Sequence, residues 1–151
     1  MSATANLRRQ HDAATLIVSD IVAMVAQIGA QPTSAQAFRL TILLAKLVGT
    51  LRIHFAQEDR HLYPSLMASG QGGTAAVARR FFEEMGHLGP ALMAFVERWR
   101  SPDAIVADWT GYRDEQRAVF TALADRIERE NTILYPLADE LTDTARGASA
   151  A

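Results

Sequence analysis

The stretch Leu51-Arg52-Ile53-His54-Phe55-Ala56-Gln57-Glu58-Asp59-Arg60-His61-Leu62-Tyr63-Pro64 carries an apolar helical stripe into a run of ionisable side chains. The series Leu40, Leu44, Leu47, Leu51, His54, Glu58, His61 advances by alternating steps of four and three residues, which keeps every member on one face of a helix. Its first four members are leucines, so the face points into a core. The same face then becomes imidazole, carboxylate and imidazole. Buried ionisable groups are costly unless they are paired or bind a metal. His54 and Glu58 stand one turn apart, about 5–6 Å at Cβ, which suits two donors converging on one metal or on a metal pair.

Composition narrows the chemistry. The 151 residues fit one domain with a substantial core, expected to span residues 1–151 with its body at about 4–141. The net charge of −2, with both signs interspersed, gives no electrostatic case for nucleic acid or an anionic membrane. With no cysteine, disulfides, thiolate zinc sites, iron–sulfur clusters and thiol catalysis are excluded. A metal would have to use histidine, carboxylate or tyrosine, a donor set suited to Fe, Mn, Zn or Cu. The first residues show no secretory signal, and no run approaches the ~20 apolar residues of a membrane span. A cytoplasmic location is expected.

The periodicity predicts four long amphipathic helices and no strands. The first covers about 4–28, with Leu7, His11, Ala14, Val18, Ile21, Val25 and Ile28 on one face. The second starts at a Thr33 or Ser34 cap and runs to about Met67, with Pro64 marking a kink or its last turn. After the loop Ser69–Gly73, the third carries Val77, Phe81, Leu88, Ala91, Phe95 and Trp99, bent near His87 by Pro90. The fourth starts at Ser101-Pro102. Its register is Ile105, Trp109, Tyr112, Gln116, Val119, Leu123, Arg126, Glu130, Ile133, Leu137. Residues 142–151 are expected to fray. The economical architecture is an all-α, antiparallel up-down four-helix bundle.

A weak internal echo joins helices two and four. Leu62-Tyr63-Pro64 and Leu134-Tyr135-Pro136 are identical, and each leucine lies four residues after a glutamate, Glu58 or Glu130. In an up-down bundle His11, His54 with Glu58, His87 and Glu130 all fall toward one end. Bundle cores are a usual place for carboxylate-bridged metals.

With these residues in place, the chain resembles the hemerythrin-like (HHE cation-binding) domains over about residues 10–141. The carriers are His11, the segment His54–Glu58 with Leu62-Tyr63-Pro64, His87, and Glu130 with Leu134-Tyr135-Pro136. The spacing is especially similar to the di-iron domain of iron–sulfur cluster repair proteins. The resemblance implies a four-helix bundle holding a non-haem di-iron centre, with His11, His54 and His87 as terminal ligands and Glu58 and Glu130 either bridging the metals or binding one each. It also implies roles in binding or sensing oxygen, nitric oxide or redox state, or in handling iron.

Two positions depart from the pattern. Glu83 stands where many members have a second helix-three histidine; it is either an added oxygen ligand or an ordinary surface charge. Arg126 stands where the family has a histidine four residues before the carboxylate, and arginine stays protonated and does not bind metal. Three arrangements remain open. Arg126 is tolerated beside one or two metals, or it pairs with Glu58 or Glu130 in a metal-free network, or it snorkels outward. His61, one turn past Glu58 on the same face, is either a further donor or a residue at the bundle's mouth, and Tyr63 and Tyr135 are either hydrogen-bond donors to the ligands or packing residues with wet hydroxyls. The leading reading is a metal-binding sensor, with iron paired or single. The alternative is a regulatory bundle that has lost the di-iron centre and acts through a protein partner. No separate acid–base or nucleophile arrangement points to an enzyme.

Overall fold

The computed structural model describes residues 2–150, and Met1 and Ala151 lie outside the described residues. Among those described there is no strand. The helices are α1 (Ala5–Gln27), α2 (Ser34–Gln57), α3 (Tyr63–Met67), α4 (Gly72–Met85), α5 (Leu88–Arg98), α6 (Pro102–Ala107), α7 (Trp109–Arg129) and α8 (Tyr135–Ala150). Five-residue π-helical turns, Glu58–Leu62 and Glu130–Leu134, join α2 to α3 and α7 to α8. Around the bundle, α1 packs on α2 and α7, and α5 packs on the same two helices. The four predicted segments are therefore present, but three of them are broken.

Each break has a local cause. Pro64 and Pro136 lack an N–H, and their rings crowd the carbonyls four residues back. Those carbonyls, of Arg60 and Thr132, lie inside the π turns. The wider turn replaces the lost α bonds with i→i−5 ones: the Tyr63 N–H donates to Glu58 O, and the Tyr135 N–H to Glu130 O. In the third segment, Gly86 closes α4 with its N–H on the Phe82 carbonyl, and a Cβ there would collide with that carbonyl. The fourth predicted helix is cut at Asp108, whose carboxylate accepts from the Gly111 N–H at 3.0 Å and starts α7 afresh. At the other end, residues 142–150 continue α8, and residues 143–150 are exposed. Alanine-rich sequence favours helix there, and the Thr142 and Thr144 hydroxyls bond carbonyls of their own helix.

The apolar interior has two parts. The larger joins α1, α2, α5, α6 and α7 through residues such as Ile21, Leu44, Leu51, Leu92 and Tyr112. The four stripe leucines of α2 are at most 1% exposed, each contributing about 1.5–3 kcal/mol by burial. The smaller part joins α3, α4, the second π turn and α8 through Tyr63, Phe81, Met85, Leu134 and Ala138.

Candidate metal centre

Five histidine, acidic or basic side chains are all but removed from water: His11, His54, Glu58, Arg126 and Glu130. They come from α1, α2, α7 and the first residue of each π turn. One ligand atom from each of His11, His54, Glu58 and Glu130 lies within 4.8 Å of all the others. His54 Nε2 is 2.9 Å from Glu58 Oε1, and His11 Nε2 is 3.2 Å from Glu130 Oε1.

The outer nitrogens of both imidazoles are already held. Gln10 Oε1 lies 2.7 Å from His54 Nδ1, and Asn131 Oδ1 lies 2.7 Å from His11 Nδ1. An amide oxygen only accepts, so each Nδ1 carries a proton, and each Nε2 is turned toward the carboxylates. Gln57 donates no further constraint itself but accepts from Gln10 Nε2 at 3.3 Å, fixing that amide. Neither Gln10 nor Asn131 stood out in the sequence; the only signal is their position beside His11 and Glu130.

The tyrosines form a reciprocal pair. Tyr63, from the first Leu-Tyr-Pro, donates to Glu130 Oε2 at 2.6 Å. Tyr135, from the second, donates to Glu58 Oε2 at 2.5 Å and lies 3.2 Å from His11 Nε2. In a continuous α-helix a residue five positions on points about 140° away. The π turn brings glutamate and tyrosine of each repeat to the same interior, which explains their shared burial. Both hydroxyls are dry, not wet. Burial first, and the facing carboxylates second, push both phenols well above their ordinary pKa.

Arg126 points inward. Its Nε donates to Glu130 Oε2 at 3.1 Å, its Nη1 to the Met85 carbonyl at 3.1 Å, and its Nη2 to Glu58 Oε1 at 3.1 Å and Asp59 Oδ1 at 3.0 Å. The rings of Phe55 and Tyr63 lie 4.6 and 5.6 Å from the guanidinium carbon. The snorkelling arrangement is thus excluded. Despite burial, the charges of Glu130 and Glu58 raise its pKa further, so it stays charged.

Three sequence candidates do not join the centre. His87 is exposed at the α4–α5 break, so helix three supplies the Met85 backbone carbonyl instead of an imidazole. That carbonyl is free because Met85 ends its helix. His61 is exposed because the π turn rotates it off the Glu58 face. Glu83 is an exposed surface charge. The same one-residue shift exposes Ile133, expected inside, and buries Leu134 and Tyr135.

Comparison with known proteins agrees with this geometry. A family model for the hemerythrin HHE cation-binding domain matches residues 2–138. The chain belongs to the hemerythrin HHE family. The match is to the family as a whole, and no curated protein and no solved structure matches the chain.

Hemerythrin domains bind metal, usually iron, and the residues present fit one. His54 Nε2 and Glu130 Oε1 are buried without any hydrogen-bond partner. Their nearest polar neighbours are Glu58 Oε1, 2.9 Å from His54 Nε2, and His11 Nε2, 3.2 Å from Glu130 Oε1. Unpartnered buried lone pairs are expensive, and a cation between them removes that expense. The two histidines also shift in opposite directions. Burial, then the charges of His11 and Arg126, hold the His54 pKa down at about 3. Burial also lowers His11, but its contacts with Glu130 and Asn131 outweigh this and raise it. Burial, with Glu58 close by, raises Glu130 as well. No described helix is long and apolar enough to cross a membrane.

Proposed function

We propose that this hemerythrin-family chain holds iron through His11, His54, Glu58 and Glu130 and uses it to bind or sense oxygen, nitric oxide or redox state. The observation that supports the reading is the convergence of four donor atoms, two of them with no other partner. Two imidazoles and two carboxylates suit Fe, Mn or Zn. Iron, when bound, supplies one-electron chemistry and affinity for diatomic ligands. The chain does the rest. Gln10 and Asn131 aim the two imidazoles, as outer partners of metal-bound histidines do. Tyr135 orients Glu58, Tyr63 orients Glu130, and burial keeps bulk water out.

Metal content of anaerobically purified protein, followed by nitric oxide titration of the ferrous form, tests this reading. The expected result is iron that disappears in His54→Ala and an absorption change saturating with nitric oxide. Iron that survives His54→Ala, or a spectrum indifferent to nitric oxide and oxygen, would count against it.

A second reading has its own support. The outer face of α2 exposes Phe38, Ile42 and Ile53 at 56, 51 and 61%, beside Arg39, Lys46 and Arg52, and α2 carries no acidic residue. Such a face suits an acidic amphipathic partner, so the bundle acts in signalling through a protein even with no metal. The two readings separate in a pull-down repeated with Ile42→Asp and with His54→Ala: a surface partner is lost only in the first.

A further inference from the structure

Arg126 is the one departure from the family pattern that lies inside the centre, and its surroundings show what it replaces. Each carboxylate touches one imidazole and the guanidinium. Glu58 Oε1 meets His54 Nε2 at 2.9 Å and Arg126 Nη2 at 3.1 Å. Glu130 meets His11 Nε2 at 3.2 Å through Oε1 and Arg126 Nε at 3.1 Å through Oε2. The guanidinium thus spans both carboxylates, as a bridged cation would. Its coordination is completed by Asp59 and the Met85 carbonyl, both oxygen acceptors. Asp59 is the outermost member of this set, 25% exposed, while Glu58 and Glu130 are fully buried.

We propose that Arg126 is the built-in second cation of this centre, clasped by Glu58, Glu130, Asp59 and Met85, and that it limits the site to a single added metal ion held with His11 and His54. The inference rests on the metal-binding reading above. Charge supports the count. With neutral imidazoles, the two carboxylates, the guanidinium and one divalent ion leave one net positive charge, which Asp59 cancels. A second divalent ion would leave an excess of two in a dry site, where like charges repel strongly. It would also find no helix-three imidazole, since His87 is on the surface.

The test is saturation of the metal-free protein with ferrous iron under anaerobic conditions, reading iron per chain and the melting temperature with and without iron. The wild type is expected to saturate at one iron per chain. Arg126→Lys keeps the charge and is expected to saturate at one as well. Arg126→Gln removes the charge at similar size. Its metal-free melting temperature is expected to fall, and added iron is expected to raise it by more than in the wild type, with binding exceeding one ion per chain. Asp59→Asn, which loosens the clasp from outside without touching the imidazoles, is expected to shift metal-free melting in the same direction by less. Two irons in the wild type would overturn the inference while leaving the metal-binding reading intact. No iron in the wild type would overturn both. One iron in both the wild type and Arg126→Gln, with equal stabilisation by iron, would show that the arginine does not stand for a cation.

Discussion

Around the Glu58–Glu130 pair, the imidazole half and the guanidinium half of the centre are finished to different degrees. The guanidinium half is closed: Arg126 finds Glu130, Glu58, Asp59 and the Met85 carbonyl, and Tyr63 supports Glu130. The imidazole half is open: His54 Nε2 and Glu130 Oε1 face inward with no hydrogen-bond partner. A buried polar group without a partner is rare in a native interior. The contrast teaches that one half carries its own positive charge while the other turns donor atoms inward with no charge to meet them.

Removing the guanidinium should break the closed half most severely. Arg126→Leu strands two buried carboxylates, and its metal-free form should lose about 3–5 kcal/mol in urea or guanidinium unfolding. A loss below ~1 kcal/mol would mean that the network is not closed as described.

The open half should betray itself in acid. His54 is held neutral in the fold, with its pKa down at about 3 against 6.5 for the free side chain. Below 6.5 the unfolded chain takes up a proton that the fold refuses, so stability present above pH 6.5 is lost as pH falls toward 3. Glu130, with its raised pKa, works in the opposite direction over part of that window. The comparison is therefore with His54→Gln: metal-free wild type should lose stability relative to that variant between pH 6.5 and 3. Parallel pH profiles would remove His54 as the cause.

The tyrosines sharpen the comparison, because each half holds one. Tyr63→Phe and Tyr135→Phe each remove a hydrogen bond to a buried carboxylate, worth about 1.5–3 kcal/mol. Only Tyr135 also approaches His11, so Tyr135→Phe should change metal affinity more than Tyr63→Phe. Calorimetric titration with Mn²⁺ or Fe²⁺ distinguishes them. Gln10→Ala leaves every direct donor in place but frees the His54 ring, and should weaken metal binding by about 10–100-fold with little effect on melting. The smallest effect belongs to His87→Ala, which should leave metal content unchanged and stability within ~0.5 kcal/mol. Loss of metal in that variant would place His87 back among the ligands.

The family and the helical architecture were legible because their signals are periodic and local. The 4–3 leucine stripe, the cap at Thr33, the Ser101-Pro102 helix start and the Leu-Tyr-Pro repeats act within a few residues of themselves. His11, His54, Glu58 and Glu130 were legible for the same reason, as ionisable groups on stripes that the structure buries. His61 and Ile133 were misplaced because a uniform 3.6-residue period carries no π turn. Two prolines shift the register by relieving carbonyls four residues upstream, and everything beyond Glu58 and Glu130 rotates with them.

Sequence alone therefore determined the helical bundle, the absence of cysteine and a candidate set that contains His11, His54, Glu58 and Glu130. Tertiary structure decided the direction of Arg126, the exclusion of His87, and the crossed pairing of Tyr63 with Glu130 and Tyr135 with Glu58. A guanidinium on a long flexible stem can turn toward water or toward carboxylates. That choice depends on Glu58 and Asp59 from another segment as well as on Glu130 one turn away, and no spacing along one helix records the first two. Here two buried carboxylates 68 and 4 residues distant in sequence converge on it, and their field decides the matter.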